Sequence, residues 1–187
     1  MYFYKDSLHF MNLIRFNIAM IFIALFAMTA CKDEEDLPDE PVINSIDFRQ
    51  DSKELVINFT DGDGNFGLPS EMVDPPFQAW EDSSNGIINR YHNNLWLEVY
   101  IREQGVYQLL EVNNDYGFDF RIPELTPRGQ NKQLRVTATY DLSFDLEAIA
   151  LTDDLNYGDT LRFDVVLVDR DLNESAMVDS RGHVLTE

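Results

Sequence analysis

The chain has 187 residues, with 14 Lys plus Arg against 34 Asp plus Glu, a formal net charge of −20 and a single cysteine. A field this negative repels a phosphate backbone and argues against nucleic acid as a partner. One cysteine excludes a disulfide framework and a thiolate metal cluster.

The chain opens on an export address. Met1 to Phe10 carries Lys5, Asp6 and His9 and fits a signal n-region poorly, whereas Met11-Asn12-Leu13-Ile14-Arg15 fits well, so Met11 reads as the true start. Phe16 to Ala30 is apolar except for Asn17 and Thr29. A positive start, a short apolar stretch and small residues at its end are the parts of a secretory signal, residues 1–30. The stretch is short for a membrane span, which takes about 20 residues. A buried N-terminal helix is the alternative. Met28-Thr29-Ala30-Cys31 resembles the bacterial lipobox. The resemblance implies cleavage before Cys31, a diacylglyceryl group on its thiol, and further acylation such as palmitate. Lys32-Asp33-Glu34-Glu35-Asp36 resembles the surface-export signal of Bacteroidota lipoproteins, which implies the outer leaflet of the outer membrane, facing out. Otherwise the run is a solvated linker.

Residues 31–41 read as an acidic tether stiffened by Pro38 and Pro41. Only Lys5, Arg15 and Asp6 are charged before Cys31, so the mature chain carries a net charge near −21. From residue 42 to 187 the length suits one domain with a core of its own.

Within that domain the apolar period is two. Ile46 and Phe48 share a parity, and Leu55, Ile57 and Phe59 alternate with Glu54, Asn58 and Thr60. Leu95, Leu97, Val99 and Ile101 oppose Glu98 and Arg102; Trp96 takes their outward parity, under whatever covers that face. Glu103-Gln104-Gly105 predicts a turn and Val106 to Val112 a returning strand. Phe118 and Phe120 predict a short strand ended by Pro123, Leu134 to Tyr140 another, Leu161 to Leu167 the next, and Ala176 and Val178 the last. Leu142, Leu146 and Ile149 suit one or two helical turns, but Leu142, Phe144 and Leu146 suit a strand equally. About seven short strands with Gly, Pro, Asn and Asp turns predict an all-β, antiparallel β-sandwich.

Tyr157-Gly158-Asp159-Thr160-Leu161-Arg162-Phe163, Val166-Leu167-Val168-Asp169 and Leu172-Asn173-Glu174-Ser175 resemble the last two strands of fibronectin type III and bacterial immunoglobulin-like domains. The whole mature chain resembles a family of uncharacterised Bacteroidota surface lipoproteins. The likeness is carried by the lipobox, Thr60-Asp61-Gly62-Asp63-Gly64-Asn65-Phe66-Gly67, Leu125-Thr126-Pro127 and Gly158-Asp159-Thr160. The family usually has Asp where Asn65 stands and Ile where Phe66 stands. The resemblance implies an Ig-like fold and a surface location, and no activity.

Asp61 to Gly67 is the one constellation with cation chemistry. Short oxygen side chains alternating with glycines let a loop wrap calcium, which takes about six to eight oxygens. An EF-hand is excluded, because its sixth position would be Phe66 instead of Gly and its twelfth Met72 instead of Glu. Asp61, Asp63 and Asn65 are too few alone. In an Ig-like sandwich the loop after the penultimate strand lies at the same end and would bring Asp169 and Asp171. The alternative is a tight acidic turn in which Asp61 and Asn65 bond their own backbone.

The long segment from Gly67 to Asn94 carries Phe77, Trp80 and Tyr91. These rings offer a platform for a sugar or a protein, or a cover for the end of the sandwich. After Cys31 the only histidines are His92 and His183, without metal-ligand spacing, and no Gly-x-Ser-x-Gly elbow is present. Carboxylate pairs are too numerous to signal a glycosidase. The expectation is therefore a surface-anchored, non-catalytic binding module, stabilised by calcium. The alternatives are a glycan-binding accessory protein of an outer-membrane uptake system and a hydrolase.

Stable anchoring takes more than one acyl chain. The wild type should therefore sediment with membranes, and Cys31→Ala should be released or left unprocessed. Normal cleavage of the mutant with equal membrane retention would refute the anchor.

Overall fold

The computed structural model describes residues 36–110, 117–125, 132–150 and 155–186. The signal segment, Cys31, the acidic run as far as Glu35, Val112 and Thr126-Pro127 lie outside them. The chain divides into two units, residues 1–36 and 37–187, and the second contains every element named below. In chain order the strands are β1 (Val42–Arg49), β2 (Glu54–Asp61), β3 (Trp80–Asp82), β4 (Ile87–Ile88), β5 (Leu95–Glu103), β6 (Val106–Leu109), β7 (Leu134–Asp141), β8 (Thr160–Leu167), β9 (Val178–Asp179) and β10 (His183–Val184). Among the described residues one α-helix, α1, spans Ser143–Ala150, and a single 3-10 turn spans Arg90–His92.

Two antiparallel sheets form the body, one in the order β1-β2-β7 and the other in the order β10-β8-β5-β6 with β9 also on β8. The alternating residues face inward as the pattern requires. Leu55, Ile57 and Phe59 of β2 are buried, as are Leu95, Leu97, Val99 and Ile101 of β5 and Leu161, Phe163, Val165 and Leu167 of β8. In register, Leu97 lies opposite Val165 and Val99 opposite Phe163. Phe48 of β1 meets Phe163 of β8 with ring centroids 4.9 Å apart and His183 of β10 at 5.6 Å, so ring contacts join the two sheets. Each fully buried side chain of this size contributes about 1.5–3 kcal/mol. The result is the all-β, antiparallel sandwich that the period predicts.

One open reading is decided and two details differ from the pattern. Ser143–Ala150 is helical: Leu146 N–H donates to Leu142 O at 2.9 Å, Leu146 is buried, and Phe144 points to solvent. Asp141 Oδ1 accepts the Ser143 N–H at 2.9 Å and starts the helix in the manner of a cap. Phe118 and Phe120 make no strand, only a bridge between Phe120 and Leu95. The pair β9 and β10 follows Ala176; each is two residues long, too short to show a period.

The chain leaves β2 at Asp61 and immediately packs against the end of the sandwich. Phe66 enters the core with its ring 4.5 Å from Phe59. Leu68 N–H donates to Ile122 O at 2.9 Å and Leu125 N–H to Phe66 O at 3.3 Å, so residues 66–68 run beside 122–125. Between them Gly67 has φ +91°, and a Cβ there would collide with the Pro123 carbonyl and sit 2.8 Å from Glu124 Cα. Gly67→Ala therefore meets both a forbidden φ and a backbone wall. It should cost about 2 kcal/mol or more in urea denaturation, and a cost below about 0.5 kcal/mol would show that 123–125 moves aside freely.

Candidate metal centre

Asp61 ends β2 and Asp63 follows it by two residues, while Asp169 follows β8 by two. Because β2 and β8 finish at the same end, the two loops meet. One carboxylate oxygen from each of Asp61, Asp63 and Asp169 lies within 4.8 Å of the others. Of the five residues that the sequence nominates, these three converge. Asn65 stands beside them, its Nδ2 donating to Asp63 Oδ2 and Asp171 Oδ2, each at 2.9 Å. Asp171 itself is exposed, outside the cluster, and acts as a holder of Asn65.

Each loop is closed by its own carboxylate. Asp61 Oδ1 accepts the Gly64 N–H at 2.7 Å, and Gly64 takes φ 72°. Asp63 Oδ1 accepts the Asn65 N–H at 3.2 Å. Asp169 Oδ1 accepts the N–H groups of Asp171 and Asn173, both at 2.8 Å, and its Oδ2 accepts the Asn173 side-chain amide. The acidic-turn reading is therefore realised, but it leaves atoms over. Asp61 is 0% exposed and its Oδ2 has no hydrogen-bond partner. The Asn65 Oδ1 is likewise buried and unpartnered. A buried carboxylate oxygen without a donor costs far more than a missing hydrogen bond in water.

The electrostatics agree. Burial, then the charge of Asp63, pushes the Asp61 carboxyl up to about 7, against the pull of the Gly64 N–H. Burial also raises Asp169, opposed by its hydrogen bonds to Asn173 and Asp171. The guanidinium of the basic neighbour Arg170 donates to Asn65 O and to Glu124 Oε1, each at 2.6 Å. Arg170 thus staples the two loops to the 122–125 segment. Sequence reasoning missed that role, although an Arg between Asp169 and Asp171 was a signal. The oxygens that converge are carboxylates alone, from Asp61, Asp63 and Asp169; Asn65 presents its Nδ2 to Asp63, and its Oδ1 is a further buried, unpartnered oxygen. That set fits a hard cation such as calcium, with main-chain carbonyls or water to complete the shell.

The aromatic candidates do not gather into one platform. Phe77 is buried, and Tyr91 is half-buried with its hydroxyl donating to Glu174 at 3.2 Å. Only Trp80, on the β3–β4 hairpin, is exposed, at 38%. Trp96 is covered as its parity suggested: its Nε1 donates to Arg90 O and Asn93 O, and the Arg90 guanidinium lies 3.8 Å over the ring. Arg121 fastens this long segment by donating to the carbonyls of His92, Pro69 and Met72.

Half-buried Asp119 lies beside β5, its Oδ1 accepting the Leu97 N–H at 3.0 Å. Burial pushes its carboxyl up to about 6, opposed by that hydrogen bond and by Arg90, and reinforced by Glu98. Because the folded value lies above the ordinary one, protonation favours the fold: the gain is complete below about 4 and lost as pH rises through about 6. Asp119→Asn keeps the acceptor and removes the charge. It should exceed the wild type in stability by about 1–2 kcal/mol at pH 7.5, with the difference vanishing below about pH 4. Denaturant curves across that range decide it, and a pH-independent difference would refute the assignment.

In comparisons with protein-family models and with curated proteins, the chain matches none.

Proposed function

We propose that this protein is a non-catalytic binding module of the cell surface, lipid-anchored through Cys31, whose loop-bearing end is fixed by a bound calcium ion. The observation that carries the cation is the fully buried Asp61 Oδ2, unpartnered where three carboxylates converge. A buried charge left unpaired costs several kcal/mol, a large share of a domain's net stability of roughly 5–15 kcal/mol. A divalent cation removes both that cost and the mutual repulsion. Calcium suits the site better than magnesium, because three carboxylates carried on two loops need other oxygens to complete an irregular shell, which calcium tolerates. Burial of Asp61 and Asp169 supports an ion that fixes loops over one that meets a substrate. Location and anchor rest on the lipobox and on the acidic run after it. Glycan binding has less support, since Trp80 is the one exposed ring of its three candidates.

The test is melting in calcium and in chelator. Extracellular calcium modules bind at roughly 0.1–1 mM. At a tenfold excess over Kd, linkage adds about 1.4 kcal/mol, which raises Tm by roughly 3–5 °C in a domain this size. Asp61→Asn keeps the bond from Gly64 and removes the charge, so its chelated form should melt above the chelated wild type and not respond to calcium. Identical wild-type curves in calcium and chelator would refute the ion.

A further inference from the structure

The acidic loop bears on a stretch of chain outside its ligand set. Gly62, between Asp61 and Asp63, lies directly against the main chain of Leu37 and Pro38. A Cβ on it would collide with both of their carbonyl oxygens and sit 2.8 Å from the Pro38 carbonyl carbon. A few residues on, Pro41 is buried and Val42 opens β1 opposite Thr60 of β2. Residues 37–41 therefore run past the end of β2 with Gly62 as their seat. These are the last residues of the segment that the sequence assigns to the tether.

We infer that the cation held by Asp61, Asp63 and Asp169 also clamps the tether: the ion fixes the residues on both sides of Gly62, and Gly62 is the surface on which Leu37 and Pro38 rest. The inference rests on the calcium reading. Without the ion the three carboxylates repel one another, and the docked segment carries two further exposed carboxylates, Asp39 and Glu40. Both effects loosen the seat and drive the tether from it. With the ion the local charge falls by two, the loop closes, and the tether docks. The place where the chain leaves the folded body is then set by calcium, and with it the way the domain is presented from its anchor. Coupling of this kind is reciprocal: whatever loosens the tether weakens calcium binding by the same factor.

Two measurements on the full chain in detergent test this. Hydrogen exchange of residues 37–40, compared in 2 mM calcium and in chelator, should slow at least threefold with the ion. Calcium titration should give Pro38→Gly, whose tether is looser in the undocked state, a Kd several-fold weaker than that of the wild type. If the wild type takes up calcium but either the exchange or the two affinities stay equal, the clamp is overturned and the ion stands. If the wild type takes up no calcium, the ion is overturned and the clamp with it.

Discussion

The carboxylate of Asp61 has no exposed surface and one oxygen without a donor, and the end of the molecule around it is arranged to accommodate that charge. Its other oxygen accepts the Gly64 N–H, which bends the chain back and brings Asp63 beside it. Asp169 arrives from the far side of the sandwich with both oxygens already engaged by its own loop. Ionised together, the three carboxylates repel one another, the more so in partial burial. The core can absorb that cost, but a cation removes it, and the oxygen-only surroundings suit a hard one.

The loop holds its shape because each of its special residues meets a different demand. Phe66 stands where a calcium loop of the EF-hand type would need glycine, and it anchors the loop in the core against Phe59. Gly64 supplies a positive φ. Gly62 and Gly67 admit the main chain of residues 37–38 and 123–125. Backbone therefore packs against the loop at both glycines, and it brings the carbonyls of Leu37, Pro38 and Pro123 with it. Arg170 ties the arrangement together by bonding the Asn65 carbonyl and Glu124.

The same end carries the long segment between Gly67 and Asn94, and its order comes from polar fastening more than from a core of its own. Asn94 is buried, its side chain bonds both the N–H and the carbonyl of Ile122, and its own carbonyl accepts the Val168 N–H. Arg121 holds three carbonyls of the segment with one guanidinium, a planar fork that a lysine does not reproduce. Binding surfaces carried on loops need such scaffolding to stay pre-organised. A cation at the neighbouring loop and a guanidinium under this one would serve that need from two directions.

The strands were legible in the sequence because the two-residue period is a property of the extended backbone itself, written in adjacent residues from Leu55 to Phe59 and from Leu95 to Ile101. The acidic loop was legible for the same reason: its chemistry is contiguous. The short helix was not, because Leu142, Phe144 and Leu146 satisfy both periods, and only the cap by Asp141 and the packing of Leu146 choose between them. Nor did the sequence separate Asp169 from Asp171, two carboxylates on one loop. The tertiary structure turns Asp169 inward, where it closes its own turn beside Asp61, and leaves Asp171 in solvent. It also decided which aromatic rings are cover and why Gly62 is a glycine, since a close approach by chain some 25 residues earlier leaves no mark on the neighbouring sequence. Local chemistry and period are encoded locally. The convergence of distant loops depends on strand pairing and register, which only the folded chain contains.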